Sequence, residues 1–159
     1  MDFKLRAVQK KDFTTIASWV PDAKACQYWA GPNLEFPFTP DILPTLLGVT
    51  ANNSFSLVNA ANDAIGFGQI TFSTINTVHL ARIIVASSWR GLGIGYVLCE
   101  RLIAKARQSF GASKITLRVY PDNLAAIKLY TRLGFVTVGS DCLSGVLLME
   151  YYQKSESCV

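Results

Sequence analysis

Two stretches of this chain combine residue types and spacings that could do chemistry. The run from Arg82 to Gly95 is an apolar strand entering a turn that holds Gly91, Gly93 and Gly95, and an amphipathic helix continues to about Phe110. A helix start presents unpaired backbone N–H groups and the positive end of the helix dipole, and glycines let a phosphate approach them closely. The run therefore predicts a pyrophosphate cradle. The alternative is a turn whose glycines only let helix and strand pack tightly. Downstream, Asn123, Ala126 and Tyr130 fall at i, i+3 and i+7 of a helix that Pro121, Asp122 and Asn123 start and Gly134 stops. An amide, a small gap and a phenol on one face suit an extended ligand lying along the helix, with the phenol at its reactive end.

Written as Arg90-x-x-Gly93-x-Gly95 and Asn123-x-x-Ala126-x-x-Leu129-Tyr130-x-x-Leu133-Gly134-Phe135, the two stretches resemble the signature motifs of the GNAT acetyltransferase superfamily. The element order resembles that family from about Phe3 to Tyr152. The resemblance implies an N-acetyltransferase that moves the acetyl group of acetyl-CoA to a primary amine by direct attack in a ternary complex, with no metal. It places the pyrophosphate on the backbone of Gly91, Leu92, Gly93, Ile94 and Gly95, with Arg90 adding charge. The pantetheine arm would run beside the strand ending at Val85, where the backbone N–H of Ile84 or Val85 polarises the thioester carbonyl. Tyr130 would protonate the departing thiolate and also touch the cofactor. Asn123 would cap its helix, bind the pantetheine, or do both. Many family members carry a Glu early in the fourth strand; this chain has His79 there. A neutral imidazole could take the ammonium proton directly or through water. A structural His, with the proton leaving through carbonyls and water, is the other reading.

The acceptor side is less defined. Between Trp19 and Phe38 the chain is richer in aromatics than a loop requires. Trp29, Phe36 and Phe38, with Tyr28 beside them, either cap an acceptor cleft or cover one face of the sheet. Asp22 and Glu35 could draw in a cationic substrate, and Asp141 could shape the acceptor pocket; all three also read as surface residues. The expected acceptor is a small-molecule or peptide amine. Two rivals remain: a non-catalytic acyl-CoA-sensing or partner-binding domain on the same fold, and an α/β interaction module without coenzyme.

Composition narrows the classes. With 159 residues, 50% hydrophobic and 16% charged, the chain suits one well-packed domain and is neither disordered nor a coiled coil. No apolar run is long enough to span a bilayer and no signal-peptide core opens the chain, which predicts a cytoplasmic protein without membrane partner. A net charge of +4 suits a polyanionic cofactor but lacks the dense basic stripe expected of a nucleic-acid binder. Four cysteines without close pairing and a single histidine argue against a zinc site. Cys99, inside the glycine-led helix, reads as a core packer rather than a nucleophile.

These groups need a scaffold. Strands are expected at Phe3–Ala7, Phe55–Val58, Ile65–Phe72, Thr77–Val85, Lys114–Val119, Phe135–Gly139 and Val146–Tyr151. Helices are expected at Lys11–Val20, from Thr39 toward Val49, after Gly95 and over Asn123–Leu133, with Pro21–Pro40 irregular. Early strands followed by alternating strands and helices predict an α/β fold: a mixed, mostly antiparallel sheet of about six or seven strands flanked by about four helices. The resemblance implies that the sheet splays between its fourth and fifth strands. One domain over residues 1–152 and a polar tail over 153–159 are expected, in a monomer or homodimer.

Overall fold

The computed structural model describes residues 2–152; the expected tail, with Cys158, lies outside the described residues. Seven strands form one sheet: β1 (Lys4–Ala7), β2 (Ser54–Val58), β3 (Ala64–Thr74), β4 (Thr77–Val85), β5 (Lys114–Val119), β6 (Val136–Ser140) and β7 (Leu147–Tyr152). Their spatial order is β1-β2-β3-β4-β5-β7-β6. Every neighbouring pair is antiparallel except β4 and β5, which run parallel. Five α-helices flank the sheet: α1 (Asp12–Ala17), α2 (Ala23–Ala30), α3 (Leu43–Leu46), α4 (Ile94–Phe110) and α5 (Leu124–Leu133). No helix among the described residues is long and apolar enough to cross a membrane.

Helix α2 falls where the sequence reads as irregular. Of its eight residues only Cys26 and Trp29 are buried, and its other apolar positions are mostly alanine. Local chemistry still defines it: the Asp22 carboxylate accepts from the Ala25 amide at 2.8 Å, and Gly31, at φ +76°, ends it. The expected helix from Thr39 toward Val49 is shorter than its span. A 3-10 turn over Pro40–Ile42 gives way to four α-helical residues that include Pro44. A second proline suits a first turn but stops the ladder from extending.

Alternation along β3 separates two cores. Gly66, Gly68 and Ile70 face α4, whereas Phe67 and Gln69 face α1, α2 and α3. The α4 core holds Ile70, Leu80, Leu98, Leu102, Leu117 and Phe135, all nearly inaccessible to water. The opposite core gathers Phe13, Ile16, Trp29, Leu43 and Phe67. Helix α4 lies so close to β3 that a Cβ on Gly68 would stand 2.6 Å from Leu102 Cδ1. Glycine is what permits that approach.

A buried carboxylate joins the first elements. Asp12 at the start of α1 is 2% exposed and takes hydrogen bonds from Arg6 of β1, the Gln9 amide and Ser56 of β2. Burial alone would raise its pKa, but Arg6, Gln9 and Ser56 together hold it below the usual carboxylate value.

Two irregularities of β4 create the site. Its register with β3 runs Gln69↔Ala81 and then Phe67↔Ile84, so Arg82 and Ile83 together oppose Gly68. Arg82 takes up this bulge at φ +52°. Pairing between β4 and β5 ends at Leu80↔Leu117. Beyond those residues the two strands part, as the resemblance implies.

Candidate active site

Where β4 and β5 separate, a cleft of about 350 Å³ opens on the sheet face opposite α4. Tyr28 and Trp29 of α2 form one wall, and Arg118 and Tyr120 at the end of β5 form another. His79 and Arg82 of β4 lie between them. The Tyr28 and Tyr120 ring centroids are 5.7 Å apart.

The bulge is braced from three directions. Trp29 Nε1 donates to the Arg82 carbonyl at 2.8 Å, which fixes α2 against β4. Arg82 Nη1 donates to Gln69 Oε1 at 2.7 Å, and Gln69 Nε2 donates onward to Leu47 O and Ser54 Oγ. Gln69 is fully buried, so its amide is a fixed acceptor. His79 Nδ1 lies 2.8 Å from Thr116 Oγ1, across the last paired rungs of β4 and β5. Burial, then the charges of Arg118 and Arg82, push its pKa down to about 4. The imidazole is therefore neutral at neutral pH.

On the α4 side the glycine turn takes the expected shape. Gly91 (φ +76°) and Gly93 (φ +79°) adopt left-handed conformations, and a Cβ on either would meet nothing. The space beside both glycines is therefore open. Ile94 buries its side chain in the core and leaves only its amide for a ligand; Leu92 is exposed. Gly95 serves a different purpose: its Cβ would stand 3.1 Å from Leu129 Cδ2 of α5 and 3.9 Å from Val85 Cγ2. Glycine here brings α4, α5 and the end of β4 together. Arg90, expected beside a phosphate, instead donates to the Val85 and Trp19 carbonyls, at 3.1 and 3.4 Å.

Strand alternation selects between the two candidate oxyanion donors. The Ala86 amide donates to Ile65 O at 2.8 Å, so the Ile84 amide also faces β3 and the Val85 amide turns toward the gap left by β5. Tyr130 of α5 is 8% exposed, with its ring edge on Phe135. Burial, with a lesser contribution from Cys99 beside it, pushes the phenol above its ordinary pKa. Cys99 is itself fully buried and its thiol is pushed up to about 12, which suits the core reading and not a nucleophile. Asn123 caps α5, its Oδ1 accepting from the Ala126 amide at a long 3.4 Å.

The aromatics divide. Trp29 lines the cleft, while Phe38 packs behind it at 6.4 Å between centroids and Phe36 leans on Phe38. Asp22 is committed to capping α2, and Asp141 Oδ1 accepts from the Leu143 and Ser144 amides of its turn. Glu35 is exposed and does not line the cleft. Sequence reading missed Tyr28's partner Tyr120, together with Thr116, Arg118 and Arg82. A signal existed: Thr116, Arg118 and Tyr120 are spaced by two in an otherwise apolar strand, and so share one face.

Comparison with known proteins agrees with this geometry. Residues 16–135 match the profile of the acetyltransferase (GNAT) family. The crystal structure of spermidine N-acetyltransferase from Vibrio cholerae, in complex with CoA and spermine, superposes with a TM-score of 0.78 at 23% identity, covering 95% of each chain. An acetyltransferase of the GNAT family from Bacillus anthracis gives 0.77 at 12% identity, covering 98% of this chain and 97% of the other. A GCN5-related N-acetyltransferase from Kribbella flavida gives 0.75 at 18% identity, over 94% and 97%. With a matching profile over most of its length and the splayed sheet to go with it, the chain belongs to the GNAT family of acetyl-CoA-dependent N-acetyltransferases.

Proposed function

We propose that this enzyme acetylates a small-molecule or peptide amine by direct attack within a ternary complex, as a single catalytic domain over residues 1–152. The observation that carries the reading is the Val85 amide at the gap between β4 and β5, with the glycine turn on one side of the sheet and the His79 cleft on the other. Acetyl-CoA supplies an activated acyl group and a thiolate leaving group. Its pyrophosphate would lie beside Gly91 and Gly93, where a Cβ would meet nothing, at the N-terminal end of α4.

The chain's own groups divide the remaining work. The Val85 N–H donates to the carbonyl oxygen as it gains charge. The amine nitrogen forms its bond to the carbonyl carbon as the C–S bond breaks, and the nitrogen gives up a proton. His79 Nε2 receives that proton, directly or through water; with a pKa held near 4 it relays the proton rather than keeping it. Tyr130 stays protonated because burial opposes its anion, and it donates to the sulfur. A thiolate in the same buried surroundings is itself raised above its usual value of about 8.5, which brings the two groups closer in proton affinity. Asn123 remains free to bond the pantetheine through its amide N–H₂ while Oδ1 caps the helix.

Calorimetry with acetyl-CoA, using ATP as the phosphate control, followed by amine-dependent thiol release, tests the reading. Micromolar binding and amine-stimulated release are expected. Binding without release for any amine would leave a sensing domain.

A further inference from the structure

The cleft carries a one-sided charge that acetyl transfer alone does not require. Two of its lining side chains, Arg82 and Arg118, are cationic, and none is a carboxylate. Half-buried Arg82 has one side-chain acceptor, the neutral Gln69 Oε1, and its Nε is buried without a partner. Among the described residues the ion pairs are Arg6–Asp12 and Lys114–Glu150, so neither cleft arginine is paired. Two carboxylates stand at the rim, and Asp141 is near enough to Arg118 for that charge to help lower its pKa. Asp141 accepts from the amides of its own turn, and Asp122 and Lys24 flank Tyr28, with Lys24 Nζ 5.5 Å from its ring centroid. A partly desolvated guanidinium without a counter-ion is costly, and an anionic ligand relieves that cost.

We infer that the acceptor is an amine that also bears a carboxylate, received by Arg82 and Arg118 while its amino group faces His79; this rests on the proposed acetyl transfer. A guanidinium fork matches a carboxylate in two parallel hydrogen bonds. A polyamine would instead bring further positive charge beside two arginines. The anion has a second effect on the site. The titratable and charged groups facing His79 are Arg82 of β4, Arg118 of β5, Tyr120 just beyond that strand, and Tyr28 of α2. Neutralising the two arginines removes part of what holds the imidazole low, so His79 becomes a better base once the acceptor is seated.

The test is thiol release from acetyl-CoA over matched acceptors: amino acids with aliphatic, aromatic and acidic side chains, each beside its amide and its decarboxylated amine, with spermidine alongside. In at least one set, kcat/KM for the carboxylate member is expected to exceed that of its amide by about tenfold or more. Arg118→Gln, at an exposed position, and Arg82→Gln, read together with its Tm, should each reduce that ratio toward one without changing the KM for acetyl-CoA. Equal or better transfer to the amides or to spermidine overturns the inference and leaves acetyl transfer standing. A preference that survives both substitutions overturns the assignment to these arginines. Transfer to none of the acceptors, with acetyl-CoA bound by calorimetry, overturns both.

Discussion

The two faces of the splayed sheet recognise by different means. On the α4 face the groups offered to a ligand are backbone amides: those of Gly91, Gly93, the first turn of α4 and Val85. They sit within neighbouring stretches of chain and are held by close packing, with Gly68 under Leu102 and Gly95 under Leu129. On the opposite face the groups are side chains brought together from α2, β4 and β5, fixed by hydrogen bonds as well as by aromatic packing. A backbone surface reads the invariant part of a chemistry. A side-chain surface can be changed one residue at a time, which supports the proposal that the choice of amine resides there.

The comparison can be broken most sharply at Tyr130, the group that both substrates share. Tyr130→Phe should lower kcat by about 10²-fold or more, with the KM for acetyl-CoA little changed. An unchanged kcat at saturating substrates removes the phenol from the reaction. Next in size is Gly93→Ala. It adds a methyl to open space but forces φ +79° on an L residue, at about 1–2 kcal/mol. Weaker acetyl-CoA binding by roughly tenfold, with amine KM unaltered, is expected by calorimetry and kinetics; an equal loss for both substrates would erase the division between faces.

Trp29→Phe makes the reciprocal cut. It removes the hydrogen bond to the Arg82 carbonyl, worth about 1 kcal/mol, and should raise amine KM several-fold while calorimetric acetyl-CoA affinity holds. The last cut is one of pH. Because His79 titrates near 4 when folded and near 6.5 when unfolded, the unfolded state binds its proton first, and stability falls as pH drops from about 6.5 toward 4. His79→Gln should flatten that part of a Tm-against-pH curve. A slope identical to the wild type's would show that the imidazole is not held neutral.

How much of this was legible in the sequence follows the same division. The glycine turn, α5 with its cap at Asn123 and stop at Gly134, and the seven strands are all written in contiguous residues, because backbone geometry and periodicity are local properties. Gly95 was legible as important but not for its reason. That it accommodates Leu129, and is not simply another open amide, depends on a helix nearly 30 residues further on — a packing fact with no local sign. Arg90 turned back to brace β4 for the same kind of reason: the Val85 and Trp19 carbonyls lay within reach. The acceptor cleft was the least legible part. Helix α2 is eight residues long and mostly alanine and aromatic, too short and too evenly apolar to show a period. Its pairing with β4 rests on one indole N–H meeting a carbonyl exposed by a bulge, and no spacing rule announces a bulge at Arg82.

The chain has three tryptophans, and of these only Trp29 lines the cleft. Its indole is pinned to the Arg82 carbonyl at the floor of the acceptor site. A carboxylate seated beside Arg82, as proposed, would alter the electric field across that one indole and leave the surroundings of Trp19 and Trp89 as they are. The protein would then contain its own optical gauge: a shift in tryptophan emission on adding an amine, with no thioester present, would report the arrival of the acceptor before any acetyl group moves.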